Sequence, residues 1–275
     1  EFYGAICAVR LFRNDAGYRL YTFMQDHPDD LHVGTVKLEL FKHTFAQKKW
    51  KESIQWSEQV DRLALTPSEL EEYRFKRGYA FFQIDQTDKA IVELAEVRNG
   101  SGPYAVPATY YAAHINYEQG NYESALTDFQ KLQNDEGFGK VVPIYIAEIL
   151  FLQGKYDELN TYVEPLLNDP QGVKRANEIN RLAGEANYRT GKYVEALPYL
   201  EKSAQRTGVS REDRYILGYT YLKTGDCKKA LEQFNLVGNG TDSLAQLATY
   251  HMADCYLKLN EKNYARNAFK KAYDM

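Results

Sequence analysis

The sequence predicts an all-α protein, a solenoid of about eight antiparallel helix pairs. One short phrase recurs along the chain: residues 120–126 read Gly-Asn-Tyr-Glu-Ser-Ala-Leu, residues 154–159 read Gly-Lys-Tyr-Asp-Glu-Leu, and residues 191–196 read Gly-Lys-Tyr-Val-Glu-Ala. Between these phrases the apolar residues follow helical spacing, and no run shows the regular alternation of a strand. Repetition of this kind predicts stacked units that contact only their neighbours.

The repeat has a period near 34 residues. When the small or apolar residue that ends each phrase is aligned, the separations are 33, 37, 35, 34, 37, 34 and 35 residues. The aligned residues are Leu20, Ser53, Ala90, Ala125, Leu159, Ala196, Ala230 and Ala265. A period of this length with a helix-turn-helix pattern indicates units of two helices, named here helix A and helix B.

A second set of residues extends the pattern on both sides of the aligned position. A small residue stands about twelve residues before it, at Ala8, Gly78, Ala113, Ala147, Gly184, Gly218 and Ala253. A large apolar residue stands four residues after it, at Leu94, Phe129, Val163, Leu200, Phe234 and Phe269. Phe41 and Ser57 depart from this pattern in the second repeat. In these residues the chain resembles the tetratricopeptide repeat family, although the family's signature Trp is missing from helix A.

The resemblance implies a single tetratricopeptide array over residues 1–275, coiled as a right-handed superhelix. Its approximate repeats are 1–32, 33–67, 68–104, 105–138, 139–172, 173–208, 209–240 and 241–275. The Tyr-rich phrases also resemble the repeats of large exported tetratricopeptide proteins of Bacteroidetes. That second resemblance implies an excised fragment of a bacterial protein and a periplasmic or cell-envelope setting, with the cytoplasm as the alternative.

Composition limits the function classes. The net charge is −4 and there is no Lys/Arg cluster, which argues against nucleic acid as a partner. The sequence shows neither a signal peptide nor an apolar run long enough for a membrane span. The five His residues are scattered, and no nucleophile elbow, phosphate loop or zinc-protease motif occurs. We therefore expect no catalytic, cofactor or metal site.

The three cysteines are too few for a disulfide framework. Cys7 is expected to be a small core residue of the first helix. Cys227 and Cys255 lie in adjacent repeats, and His251 stands one turn before Cys255. A Cys/Cys/His metal site or a disulfide stays open there, but a pair of buried thiols is the favoured interpretation.

Local signals predict how several helices begin and end. Thr66 and Glu69 form a capping box, and Ser210 caps the seventh helix A. Pro165 and Pro198 fall inside helix B segments and are expected to kink or shorten them. Helices are predicted, among others, over residues 2–13, 50–64 and 173–190, and turns over 168–172 and 238–241.

Two further features concern how the repeats pack. Helices A and B are expected to cross where Gly184 or Gly218 meets Ala196 or Ala230, because a larger side chain would push the axes apart. Turn formers are densest over residues 98–104, which are expected to form a surface loop or, if the array has one, a hinge.

The family places its A helices along the concave wall of the superhelix, with positions 2, 5, 9, 12 and 13 of helix A facing the groove. Carried over to this sequence, those positions in the middle repeats are rich in aromatic residues. We expect the partner-binding groove to include Phe75, Tyr79, Phe82, Tyr110, His114, Tyr117, Glu148, Phe151, Arg181, Glu185, Tyr188, Tyr215 and Tyr219, with Glu118 and Arg189 at its rim. The expected function is a non-enzymatic scaffold that binds a peptide or helix of a protein partner.

Alternative interpretations stay open for this groove. An aromatic residue at position 12 could serve the packing of its own repeat. The whole chain could be a structural spacer or a self-assembly module of a larger envelope protein. Chaperone-binding tetratricopeptide domains hold an acidic C-terminal peptide with Lys and Asn near positions 5 and 9. Phe75 with Tyr79 and Tyr110 with His114 replace those residues here, so that ligand is not expected.

Overall fold

The structure is a computed structural model that describes residues 1–169, 172–238 and 240–275, and in these ranges it is entirely helical. Sixteen α-helices of the described chain alternate as helix A and helix B. They form two compact units, residues 1–134 and residues 135–275. No helix in the described ranges has both the length and the apolar character that a bilayer crossing requires. Pro170, Gln171 and Asn239, which fall in two of the predicted turns, lie outside the described residues.

The first unit contains four helix pairs. They are α1 (Phe2–Arg10) with α2 (Ala16–Asp26), α3 (Val33–Ala46) with α4 (Trp50–Ser57), α5 (Pro67–Gln83) with α6 (Thr87–Val97), and α7 (Ala105–Glu118) with α8 (Tyr122–Lys131). A single 3-10 turn, Arg62–Ala64, follows α4. The second unit also contains four pairs. They are α9 (Pro143–Leu152) with α10 (Tyr156–Leu167), α11 (Ala176–Arg189) with α12 (Tyr193–Ser203), α13 (Arg211–Thr224) with α14 (Cys227–Val237), and α15 (Ser243–Lys258) with α16 (Lys262–Asp274).

Each helix B packs on its own helix A and on the helix A that follows within the unit. Leu94 and Val97 of α6 share a core with Ala108 and Ala112 of α7. Helices A of successive repeats also contact each other, α3 with α5 in the first unit and α9, α11, α13 and α15 in series in the second. One face of each A helix therefore lies beside the same face of its neighbour, which places equivalent positions of successive repeats side by side.

Small residues let the two helices of a pair approach closely. A methyl group added at Gly218 would lie 2.9 Å from the ring of Phe234, and one at Gly184 would lie 2.6 Å from Leu200. Both distances are too short for carbon atoms, so the Gly residues are sterically required. The residue nearest to each added methyl group lies four places after the predicted Ala196 or Ala230, so the large residue of helix B fills the space above the Gly.

The second repeat reverses this arrangement. Phe41 is fully buried in α3, and the small Ser53 and Ser57 are buried opposite it in α4. The serine hydroxyls are satisfied, since Ser53 Oγ donates to the Phe41 carbonyl at 3.3 Å and Ser57 Oγ donates to the Ile54 carbonyl at 2.6 Å. The two departures from the family pattern therefore compensate each other. In this repeat the large residue lies on helix A and the small residue on helix B, the reverse of the other repeats.

The predicted caps are confirmed. Thr66 Oγ1 accepts from the Glu69 backbone N–H at 3.3 Å, while the Glu69 carboxylate accepts from the Thr66 backbone N–H at 3.0 Å. Ser210 Oγ accepts from the Asp213 N–H at 3.0 Å. Helices α10 and α12 continue through Pro165 and Pro198, so of the two expected effects, a kink or a shortening, these prolines do not end the helices.

Several predicted helices are too long. Helix α1 ends at Arg10 because Phe12 has a φ of 51°, which breaks the right-handed helix. Helix α11 begins at Ala176 because Arg175 before it has a φ of 58°. Helix α4 ends at Ser57, seven residues before the predicted end at Ala64.

The segment from Arg98 to Tyr104 is tied to the helices around it. The Arg98 guanidinium lies 2.5 Å from the buried Asp128 carboxylate, and the Tyr104 N–H donates to Glu71 at 3.2 Å. These contacts favour the surface-loop interpretation over a hinge.

Candidate protein-interaction surface

Aromatic side chains from neighbouring helices meet in two clusters, one in each unit. The first aromatic cluster consists of Phe45, Trp50, Phe75, Tyr79, Phe82, Tyr104, Tyr110, Tyr111 and His114. The second consists of Tyr188, Tyr193, Tyr215, Tyr219 and His251. Every member of both clusters is partly exposed, so each ring packs on one side and is open to solvent on another.

The first cluster is built by α5 and α7, with α3 and the start of α4 at one side. Phe75, Tyr79 and Phe82 stand on one face of α5 because they are four and three residues apart. Tyr79 meets Trp50 at a ring-centroid distance of 5.6 Å, and Phe82 meets His114 at 5.8 Å. The structure thus brings together five of the predicted groove residues: Phe75, Tyr79, Phe82, Tyr110 and His114.

Tyr111 lies at the centre of this cluster, and sequence reasoning did not include it. Its ring contacts Tyr79 edge-on at 4.8 Å and Phe82 at 5.3 Å. Burial raises the pKa of Tyr111, and a hydrogen bond to the Tyr79 side chain raises it further. The family's groove positions include Tyr110 but not the residue after it, so position alone could not identify Tyr111.

The second cluster is built by α11, α13 and α15, with Tyr193 from α12. Tyr219 contacts Tyr188 at 5.8 Å, Tyr193 at 6.0 Å and His251 at 4.9 Å. Of the predicted groove residues, the structure joins Tyr188, Tyr215 and Tyr219 here. Tyr193 and His251 are further members that sequence reasoning did not assign to the groove.

Aromatic residues at position 12 pack against the first turn of their own helix B. The same contact recurs five residues apart, between Tyr117 and Tyr122 at 6.0 Å and between Phe151 and Tyr156 at 5.5 Å. Tyr188 and Tyr193 repeat it at 6.0 Å. The intra-repeat packing role considered for position 12 is therefore present, although these rings keep a partly exposed side.

Charged residues predicted at the groove form ion pairs in the second unit. Glu185 of α11 lies 3.0 Å from Arg181 and 2.7 Å from Arg189, one turn before and after it. Arg189 also places its guanidinium 4.9 Å above the Phe151 ring. Glu148 of α9 lies 3.7 Å from Arg175. These charged side chains are therefore paired with residues of their own unit.

The cysteines are free thiols, but their positions differ from one prediction. Cys227 and Cys255 are buried, whereas Cys7 is exposed, so its assignment to the core is wrong. Helix α1 turns Ala5 and Ala8 inward, and Cys7 points away between them. Burial raises the pKa of the Cys255 thiol to about 12, with the adjacent Cys227 adding to the effect. Within the described ranges, no three His, Cys, Asp or Glu side chains gather as a metal site.

Comparisons with known proteins agree with this architecture. The sequence model of the family described as anaphase-promoting complex, cyclosome, subunit 3 matches residues 189–272. Among solved structures, the C-terminal part of a tetratricopeptide repeat-containing protein from Cytophaga hutchinsonii has a TM-score of 0.60 at 13% identity, covering 86% of this chain and 93% of its own. A variant of MamA has a TM-score of 0.51 at 19% identity, covering 62% and 96%.

A tetratricopeptide repeat protein from Parabacteroides merdae covers 90% of this chain and 95% of its own at 16% identity, with a TM-score of 0.47. None of the curated proteins matches the chain. At these identities the structural likeness shows the fold alone. The paired helices and their period agree with the likeness to the two structures whose TM-scores exceed 0.5, and the chain has the tetratricopeptide repeat fold. Repeats of this class commonly serve as scaffolds for protein–protein interaction.

Proposed function

We propose that this protein is a non-enzymatic scaffold and that a peptide or helix of a protein partner binds against the aromatic clusters of its A helices. The observation that carries the proposal is the first aromatic cluster, in which α5 and α7 contribute at least six partly exposed rings to one surface. An apolar patch rimmed by polar residues is typical of an interaction surface. Tyr188 and Tyr215, which contact or lie in one cluster with Tyr219, form its counterpart in the second unit.

The chemistry of the rings supports a protein ligand. Tyr side chains combine a large rigid apolar face with a hydroxyl group, so they bind apolar and polar groups at low entropic cost. Truncating a central aromatic anchor typically costs about 2 kcal/mol or more, which is about thirtyfold in affinity.

The test uses a displayed library of short random peptides selected on the whole chain. Peptides that bind are synthesised, and their dissociation constants are measured for the parent and for Tyr79→Ala, Tyr110→Ala and Tyr219→Ala. Tyr18→Ala is the matched control, since Tyr18 lies on helix B of the first repeat and is 73% exposed. Thermal melting of each variant checks the fold.

We expect the affinity for the peptide to fall by about thirtyfold in variants at the cluster that binds it. The affinity of the control should be unchanged. If affinity is unchanged while stability falls by roughly 3 kcal/mol or more, these tyrosines are packing residues and the proposal fails. Failure to select any binding peptide would also overturn it.

Self-assembly is a second candidate, favoured by one surface on α15 and α16. Tyr250 contacts Phe269 at 5.4 Å beside the exposed Leu247 and Tyr273, around a cavity of about 480 Å³. In the preceding repeat the equivalent pair, Tyr215 and Phe234, is covered by His251 of the next helix A. A helix of a following repeat or of a second copy would fit this surface. Sedimentation of the parent and of Leu247→Ser tests it, and a monomeric parent at all concentrations excludes it.

A further inference from the structure

The last three A helices carry a cation at the same repeat position. Position 13 is Arg189 in α11, Lys223 in α13 and Lys258 in α15, each one repeat after the other. Since these helices contact each other in series, the three side chains form a row across the second unit, named here the basic row. The equivalent residues of the preceding four repeats are uncharged or acidic: Ala46, Gln83, Glu118 and Leu152.

Each cation of the basic row is held in place and remains exposed. The Arg189 guanidinium rests 4.9 Å above the Phe151 ring and is paired with the Glu185 carboxylate at 2.7 Å, while Lys223 Nζ lies 5.0 Å above the Tyr219 ring. Lys258 Nζ donates to the Leu222 carbonyl in the last turn of α13 at 3.2 Å. Positioning of this kind lowers the entropy that a long side chain loses when it binds a ligand.

A pocket of about 350 Å³ opens between the two lysines of the row. Tyr219, Leu222 and Leu257 give it an apolar lining. Its one carboxylate is Asp254, whose Oδ2 lies 3.2 Å from His251 Nδ1. The pocket therefore has two ammonium groups and one carboxylate, and that carboxylate already contacts His251. Positive charge is in excess, and part of the lining is apolar.

We propose that Lys223 and Lys258 of the basic row bind carboxylate groups of the partner segment, supplied by Asp or Glu side chains or by a chain terminus, at position 13 and not at the clamp positions 5 and 9. The inference rests on the proposed function and assigns the ligand chemistry of its second cluster. Neighbouring A helices lie roughly 10 Å apart and an extended chain advances about 3.3 Å per residue, so acidic residues three apart would meet successive cations. Glu185 and Asp254 interleave with the row, which favours separate carboxylates over a continuous phosphate backbone.

The experiment uses the peptides selected on the whole chain. The variant is Lys223→Gln with Lys258→Gln, and the matched control is Lys228→Gln with Lys262→Gln, an equal charge change on exposed sites of α14 and α16. Each peptide is also made with its Glu and Asp residues changed singly to the amides, and separately with an amidated terminus. These two peptide arms identify whether a side chain or a terminus supplies the carboxylate.

The proposal expects the selected peptides to be enriched in acidic residues and to lose about tenfold or more in affinity for the variant, because a charge-assisted hydrogen bond is lost. The control should bind as the parent does, and the matching amide peptide should bind parent and variant equally. Affinity of the parent should fall as salt is raised. If the double variant melts early, Lys223→Gln alone is measured in its place.

Other outcomes overturn the inference. Peptides that bind through the tyrosines but are insensitive to the lysine variants would leave the proposed function standing and remove the basic row from it. Displacement of the peptide by a short single-stranded RNA at equal concentration would point to phosphate instead. A selection that yields no binding peptide removes the proposed function and this inference together.

Discussion

Tyr188 shows how one side chain serves both the repeat and the surface. Its ring packs on Tyr193 of its own helix B and on Tyr219 of the next helix A, while one side stays exposed. Burial raises the pKa of Tyr188 to about 12, and the nearby Tyr215 and Tyr219 hydroxyls add to the shift. There is therefore a range of alkaline pH in which the Tyr188 hydroxyl is protonated in the folded protein but ionised in the unfolded chain.

This shift predicts a loss of stability at alkaline pH. A tyrosine in the unfolded chain ionises near pH 10, so the stabilising contribution of Tyr188 is fully present below pH about 10 and is lost as the pH rises through about 12. Replacing Tyr188 by Phe should leave stability near neutral pH almost unchanged and reduce the fall above pH about 10. Urea unfolding across this range measures the effect.

Tyr18→Phe is the control for the alkaline experiment, because Tyr18 is 73% exposed. Its pH profile should follow that of the parent. A Tyr188→Phe profile as steep as the parent's would contradict the prediction.

Repeat position predicted several members of the two aromatic clusters. Tyr79, Tyr110 and Tyr219 follow from the family's positions 5 and 9, and the structure places all three on the A helices with an exposed side. Tyr111 and Tyr193 could not be found in this way. Position fixes the face on which a Cα lies, but the contacts of a ring depend on the direction of its side chain and on the neighbouring repeat.

At the scale of the helix pair, packing is governed by one large residue opposite one small residue. In three pairs the small residue is a Gly on helix A, as at Gly78, Gly184 and Gly218, and the large one is on helix B. In the α3/α4 pair the large residue is Phe41 and the small residue sixteen places later is Ser57, both buried. The total volume is kept while the sides exchange.

The exchange predicts coupled mutations. Phe41→Ala should destabilise the protein by about 3 to 5 kcal/mol through loss of buried surface and the cavity left behind. Ser57→Leu alone should cost about 1 to 3 kcal/mol through overpacking. The double variant places the small residue on helix A and the large one on helix B, as in the other pairs. Its loss in free energy of unfolding should therefore be smaller than the sum of the two single losses. Urea unfolding measures all three values.

Strictly additive losses in the free energy of unfolding would contradict this prediction. Effects that sum within about 0.5 kcal/mol would show that the two positions do not share a space. The polar contacts of Ser57 are a separate source of loss, since Arg77 Nε donates to its Oγ at 3.1 Å. Ser57→Ala measures that loss without adding volume.

The sequence predicted the helix pairs more accurately than their ends. The period identifies every pair because apolar spacing and small residues recur in each repeat. The ends of α1 and α11 depend on Phe12 and Arg175 in the left-handed region, where non-Gly residues are uncommon. Nothing in composition marks those two residues as turn residues, so pattern reasoning extends the first helix through Phe12 and begins the sixth helix A before Arg175.

At the scale of the whole molecule, the chain consists of two compact units that divide between Asn134 and Asp135. Within the first unit each helix contacts the next along the chain, from α1 to α8, and α3 also contacts α5. Contacts of this kind make stability approximately a sum over neighbouring repeats. Three buried clusters of the first unit, within residues 5–40, 38–73 and 54–115, are formed within the unit itself.

A chain that ends at Asn134 should therefore fold by itself. Its last helix, α8, packs on α7, with the buried Phe129 ring 6.2 Å from the Tyr110 ring, and both helices stay in the truncated chain. We expect a soluble helical protein with a cooperative thermal transition, measured by circular dichroism. A chain that ends at Gly120 is the matched control, because it removes α8, the helix that packs on α7. It should melt at a lower temperature. Loss of all helicity in the chain ending at Asn134 would mean that the first unit depends on residues after the division, and that its stability is not the sum of its own repeats.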